Sequence, residues 1–245
     1  MMRFFAVYLW HVATGVLMWP VMFWFNQTKI IGKENLRRSK NQLIIANHLT
    51  MIDSWFITMA CCWPQLIWQP WLIPFHLPEH KNFLKKQPLK TMCIFWQCIP
   101  ITRGSGDFLK KLPLILKMMG QGVVMIFPEG TRNPNPGRGR LHRWTNGTAL
   151  LAAEGKPFVQ PVAIYGIEKI LPIGSTRPRW NQPVTIFIGK GIDLNQSKFP
   201  MQDRGQIARL FKNRLQSAMK AGYYLHNCRV AERADARFAK QLSVR

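Results

Sequence analysis

The chain has 245 residues, enough for one large domain or one domain plus a membrane anchor, and at 47% hydrophobic it can fill a sizeable core. Thirty-four Lys and Arg against eleven Asp and Glu leave a formal charge of +23, which calls for an anionic partner: nucleic acid, an anionic membrane or phosphorylated substrates. Five Cys with no C-x-x-C pair exclude a disulfide framework and zinc-finger spacing, and fit reduced thiols in a cytosolic compartment.

Phe4 to Phe25 is almost unbroken apolar sequence, interrupted by His11, Thr14, Gly15 and Pro20 and free of full charges. Twenty-two helical residues rise about 33 Å, the thickness of a hydrocarbon core. The run is longer than a signal-peptide core and no small-residue cleavage site follows it. Pro20 removes a helical hydrogen bond, so residues 1–28 read as one membrane anchor helix or a kinked, half-immersed helical pair. Only Arg3 precedes the run, whereas Lys29, Lys33, Arg37, Arg38 and Lys40 follow it, so the positive-inside rule puts the rest of the chain on the cytoplasmic face. Trp55 to Phe75 is aromatic but broken by Pro64, Pro70 and Pro74, and reads as interfacial or buried structure rather than a second span. Vicinal Cys61 and Cys62 in that stretch read as packing residues.

Beyond the anchor, strand and helix patterns alternate. Leu43–Ala46, a strand ending at Ile99-Pro100-Ile101, Val123–Phe127, Val159–Tyr165 and Val184–Ile188 are the strand candidates. Ser54–Cys62, Asp107–Met119 (disturbed by Pro113) and a segment through Ala149–Glu154 capped by Thr145 or Asn146 are the helices. Ile207, Leu210, Phe211, Leu215 and Ala218 recur at helical spacing and predict a basic amphipathic helix. The Pro-, Gly- and Arg-rich stretch 133–140 is a loop. This order predicts an α/β fold: a single domain, residues 29–222, with a mixed, largely parallel central sheet flanked by helices, followed by a basic tail at 223–245 that belongs to the net +7 of residues 201–245, ten basic against three acidic.

Two constellations carry chemistry. Asn47-His48-Leu49-Thr50-Met51-Ile52-Asp53 follows a strand and opens a helix. A turn there can bring Asp53 onto one nitrogen of His48 and leave the other as a base aimed at a hydroxyl; a surface His beside a helix-capping Asp fits the same spacing. Phe127-Pro128-Glu129-Gly130-Thr131-Arg132 ends the strongest strand, where ligands of α/β sheets bind. Glu129 and Arg132 can hold a polar substrate there, the arginine gripping a phosphate in bidentate fashion; a tight turn with an incidental ion pair is the alternative. His76, His80, His142 and His226 have no ligand-like spacing, so no metal is expected. His142, in a basic loop with Arg138, Arg140 and Arg143, reads as solvated, with headgroups or an acidic carrier as possible contacts of the loop. No Cys lies close in sequence to either constellation, against a cysteine nucleophile.

His48 and Asp53 in NHLTMID, with FPEGTR about eighty residues on, resemble the motifs of the glycerolphosphate acyltransferase superfamily, specifically the 1-acylglycerol-3-phosphate acyltransferases. Thr50 stands where the family more often has Ser and keeps the hydroxyl. Ile99-Pro100-Ile101-Thr102-Arg103 resembles its second motif, Val159 to Ile164 its fourth, and Lys81 loosely a family lysine; the likeness covers roughly residues 30–190. It implies His48 as general base oriented by Asp53, and Arg103, Glu129, Gly130, Thr131, Arg132 and Lys81 as acceptor-binding residues. The implied reaction passes an acyl chain from acyl-CoA or acyl carrier protein to a lysophosphatidic-acid-type hydroxyl, with no cofactor, metal or acyl-enzyme, on a membrane. Another lysophospholipid or a glycolipid acceptor is the first alternative, and a non-enzymatic binder of membrane or nucleic acid the second; on the acyltransferase reading no nucleic-acid partner is expected.

Overall fold

The computed structural model describes residues 2–83, 87, 89–135, 139–195 and 203–242; Met1, Arg138 of the basic loop and residues 243–245 lie outside the described residues. Met2–Pro20 forms helix α1, and Val21–Phe25 continues it as a π turn. Pro20 lacks an N–H and its ring crowds the preceding turn, which favours this wider geometry. The apolar N-terminal segment is therefore one helix with a distorted end, not a helical pair. Val7, His11, Gly15, Met18 and Met22 recur every three or four residues and form its buried stripe. A side chain at Gly15 is excluded by the close approach of Trp63, whose ring lies 2.3 Å from where a Cβ would sit. Phe4, Phe5, Leu9, Leu17, Trp19 and Trp24 point outward and are exposed. Phe4–Phe25 is long and apolar enough to cross a membrane by length and composition.

Seven strands form one sheet: β1 (Lys29–Ile31), β2 (Gln42–Ala46), β3 (Phe75–His76), β4 (Val123–Ile126), β5 (Phe158–Tyr165), β6 (Thr185–Ile188) and β7 (Ile192–Asp193). Their order is β1-β6-β5-β2-β4-β3, with β7 also on β5. The pairs β1–β6, β2–β5, β2–β4 and β3–β4 are parallel, while β6 and β7 run antiparallel to β5. The fold is thus the mixed, largely parallel α/β arrangement expected from the strand and helix order. Strands β2 and β4 are central and buried throughout, which is why they read as continuous apolar runs rather than alternating ones.

The helices after α1 are α2 (Asp53–Cys62), α3 (His80–Phe83), α4 (Leu89–Phe95), α5 (Asp107–Gln121), α6 (Gly147–Gly155), α7 (Ile167–Ile170) and α8 (Arg204–Leu242). Helix α8 packs on β5, β6 and α6, with α5 next to α6; α1 lies against α2 and α4. Ile207, Phe211, Leu215 and Ala218 are the buried stripe of α8, as their spacing predicts.

Several elements differ from expectation. Ile99–Ile101 is not a strand. Cys98 and Ile101 make single bridges to His76 and Glu79, because Pro100 between them has no N–H for a ladder. Pro113 does not break α5, and its ring is on the exposed face. Residues 223–242, set apart from sequence as a tail, continue α8 without interruption. There the aromatic ring of Tyr223 lies against Tyr165, His226 pairs with Thr185, and Arg229 bonds the Val184 and Gln27 carbonyls. Cys61 and Cys62 are buried in the core, and Trp55–Phe75 is α2, two 3-10 turns and the start of β3.

Candidate active site

The parallel strands β2, β3, β4 and β5 end on one edge of the sheet, and their carboxyl ends carry most of the residues singled out above. Beyond β2, the side-chain amide of Asn47 bonds both backbone groups of Ile164, donating to its oxygen at 3.0 Å and accepting from its nitrogen at 2.8 Å. Asn47 thereby prolongs the β2–β5 pairing by one buried side chain and fixes the start of the loop that holds His48.

His48 Nδ1 lies 2.9 Å from Asp53 Oδ2. Asp53 is the first residue of α2 and is fully buried. Its carboxylate also accepts from the backbone nitrogens of Leu49 (2.5 Å) and Thr50 (2.9 Å) and from the Thr50 hydroxyl (2.7 Å). These bonds satisfy orphan donors at the helix start and lock the loop into a single shape. The Thr50 hydroxyl meanwhile accepts from Ile52 N at 3.2 Å, which gives the hydroxyl at this motif position a structural task. With Nδ1–H directed at the carboxylate, Nε2 carries the lone pair of the imidazole and has no partner among the described residues. The ring stacks on Phe127 at 4.4 Å and 20°, and the side chain is 22% exposed. A half-buried, oriented imidazole with one open nitrogen can accept a proton from a bound hydroxyl.

The second constellation meets the first at Glu129. Its carboxylate is fully buried and accepts from His48 N at 3.3 Å and His142 N at 3.1 Å, with Asn133 Nδ2 at 3.5 Å. Asn133 N in turn donates to His48 O at 2.7 Å. Glu129 thus faces the protein and clamps the His48 loop to the FPEGTR turn, a different task from the acceptor contact that the resemblance implies. Gly130 has φ +64°, a left-handed conformation that glycine adopts without strain. Thr131 and Arg132 follow it half-buried, and Arg132 has no ion pair among the described residues.

Burial raises the Glu129 carboxyl from 4.5 to about 7, against the lowering effect of the backbone donors. The folded chain therefore keeps a proton that the unfolded chain has released between those two values. Stability from this group is highest on the acid side, falls as pH rises through that window, and is level above about pH 7. The total change across the window is about 3 kcal/mol. Glu129→Gln removes it: the gap in unfolding free energy between variant and wild type is expected to shift in the variant's favour from pH 5 to pH 8, as measured by denaturant titration at both pH values. An unchanged gap would rule out the buried protonation.

Arg103 and Lys81 sit near the end of β3. The Arg103 Nε is 2.6 Å from Glu79 Oε2, so its guanidinium is engaged by a largely buried carboxylate rather than left open. Lys81 is exposed on α3, two residues past Glu79. Asn47, Thr50, Phe127 and Asn133 were not singled out as site residues from sequence. Asn47, Thr50 and Asn133 brace the two loops through side-chain and backbone hydrogen bonds, and only their places inside or beside the two motifs hinted at them. Among the described residues no group of three or more His, Cys, Asp or Glu is arranged to hold a metal. A surface cavity of about 410 Å³ lies between the starts of α5, α6 and α8, lined by Phe108, Leu109, Asn146, Leu150 and Arg204 among others, and includes none of these site residues.

A His–carboxylate pair beside a glycine turn and an arginine, at the carboxyl ends of parallel strands, is an arrangement suited to acid–base chemistry on a hydroxyl in an α/β enzyme. Residues 27–165, more than half of the chain, match the family described as Acyltransferase, and the chain belongs to it. The fold is also that of a solved structure, the 1-acyl-sn-glycerophosphate (LPA) acyltransferase PlsC from Thermotoga maritima. The two superimpose with a TM-score of 0.60 over 86% of this chain and 78% of that one, at 17% sequence identity. Family membership sets aside the reading of a basic protein that only binds membrane or nucleic acid.

Proposed function

We propose that this acyltransferase transfers a fatty acyl chain from a thioester, acyl-CoA or acyl carrier protein, to the hydroxyl of a lysophosphatidic-acid-type acceptor in phospholipid synthesis. The observation that carries the reading is the 2.9 Å contact between His48 and buried Asp53, in a loop tied to the FPEGTR turn through Glu129. His48 Nε2 takes the proton of the acceptor hydroxyl as its oxygen attacks the thioester carbonyl. The tetrahedral oxyanion collapses, the C–S bond breaks, and the thiolate receives the proton from His48. The acceptor is itself the nucleophile, so the His–Asp half of a triad suffices, with no acyl-enzyme and no cofactor in the step. Arg132 binds the acceptor phosphate beside Gly130 and Thr131; Arg103 and Lys81 contribute from the β3 side, Arg103 while held by Glu79.

The solved neighbour's named acceptor, LPA, supports this choice of substrate. The exposed apolar face of α1 holds the enzyme at a bilayer, where acceptor and product are dissolved, and the basic residues after Phe25 keep the catalytic domain on the cytoplasmic face. Purified protein in detergent, given a panel of lysophospholipids, a monoacylglycerol and a glycolipid with both donor types, is expected to acylate the phosphate monoester fastest. Acylation of another acceptor alone would replace the substrate; acylation of none by folded protein would remove the reading.

A further inference from the structure

Residues 139–145, which follow the FPEGTR turn in the chain, fold back over it and are fixed at both edges. His142 N donates to Glu129 Oε1, and Arg140 O accepts from Asn133 Nδ2 at 3.0 Å. Thr145 donates to Pro128 O through both its backbone nitrogen and its hydroxyl, each at 2.8 Å. From the other side Gln216 of α8 grips the loop, accepting from Leu141 N at 3.1 Å and donating to Gly139 O at 2.6 Å. The backbone is thus immobilised, yet Arg140, His142 and Arg143 are all exposed. Arg143 Nη2 comes within 3.6 Å of the point a Cβ on Gly130 would occupy. Its guanidinium therefore overhangs the bare backbone of the turn. No acidic side chain pairs with Arg132, Arg140 or Arg143 among the described residues, and Glu129 is buried beneath them with its oxygens already in use.

We infer that Arg143 is a second anion-binding guanidinium of this site, which closes over Gly130 and together with Arg132 holds a phosphate monoester. The inference rests on the proposed function and adds a residue that the motifs do not contain. Unpaired arginines on a rigid loop retain their five donors for a ligand and lose little freedom on binding it. A glycine beneath them lets the ligand approach the backbone closely. Two substrates of the reaction can bear such a group: the acceptor headgroup and the 3′-phosphate of the CoA donor. The loop pinned by Gln216 serves either.

Equilibrium binding to the purified full chain tests this without relying on turnover, with 1-oleoyl-glycerol 3-phosphate and adenosine 3′,5′-bisphosphate as probes. Arg143→Gln is expected to weaken one of the two about ten- to hundredfold, the range for losing a charge-assisted hydrogen bond. Arg143→Lys recovers part of the loss, and 1-oleoylglycerol, which lacks the phosphate, binds equally to all variants. In steady-state assays the same substrate shows the raised KM, with little change in kcat. Arg209→Gln, on the solvent face of α8, lowers the net charge by the same amount and leaves both affinities unchanged. Weakening of the lipid probe assigns Arg143 to the acceptor, and weakening of the nucleotide assigns it to the donor. Equal affinities in wild type and Arg143→Gln for both probes, or no binding of either by wild type, overturn the inference. If wild type binds a probe and Arg143→Gln weakens it while no panel acceptor is acylated, the anion site stands and the proposed reaction falls.

Discussion

Replacing His48 by alanine is expected to lower the turnover number about 10²–10⁴-fold, the range attributed to a positioned general base. The effect falls on kcat because the imidazole acts on the proton of the attacking hydroxyl and contributes no charge to holding the acceptor. The substitution leaves the fold intact. The ring is 22% exposed, stacks on Phe127 and bonds Asp53, and the His48 backbone groups that bond Glu129 and Asn133 remain. Initial rates at saturating acceptor and donor, together with a thermal unfolding curve, separate the two quantities. A folded variant that keeps wild-type turnover would mean that another group removes the proton.

That expectation was within reach of the sequence, and the reason is physical. His48 and Asp53 lie on one continuous turn between β2 and α2, so a local pattern encodes their contact. Strands β2, β4, β5 and β6 were equally legible, because burial on both faces writes itself as apolar runs. What the sequence concealed depends on partners far apart in the chain. Glu129 looks like a substrate ligand until the backbone N–H groups of His48 and His142 are seen to occupy it. Arg103 looks free until Glu79 is placed beside it, and the loop at 139–145, whose basic side chains are solvated as expected, gives no sign that its backbone is pinned until Gln216 arrives from α8. Hydrogen bonds of this kind have no period and no composition, so no window of residues announces them. The same limit explains the misjudged ends: Ile99–Ile101 is apolar enough for a strand, but Pro100 cannot donate to a neighbour, and α8 runs past residue 222 because Tyr223, His226 and Arg229 find partners on β5 and β6.

Asp53→Asn tests whether the carboxylate acts through the imidazole. An amide in its place has one accepting oxygen where four donors converge. If the amide nitrogen takes the place of Oδ2, it confronts His48 Nδ1 and two backbone N–H groups, and the ring relieves the clash by moving its proton to Nε2, where it can no longer serve as a base. If the nitrogen takes the place of Oδ1, the tautomer survives but the negative charge that balances the imidazolium in the transition state is gone. Either way kcat is expected to fall about 10²–10⁴-fold; the corresponding substitution in serine proteases lies at the upper end of that range. The fold loses about 1–3 kcal/mol through the mismatched buried donor, which a denaturant titration detects separately. The decisive comparison is the double variant with His48→Ala. If Asp53 works through His48, removing both costs no more turnover than removing His48 alone, because groups acting as one unit are not additive. Multiplicative losses would instead give Asp53 a role of its own, through the Leu49–Thr50 turn and the substrates it shapes, and would separate the carboxylate from the proton transfer.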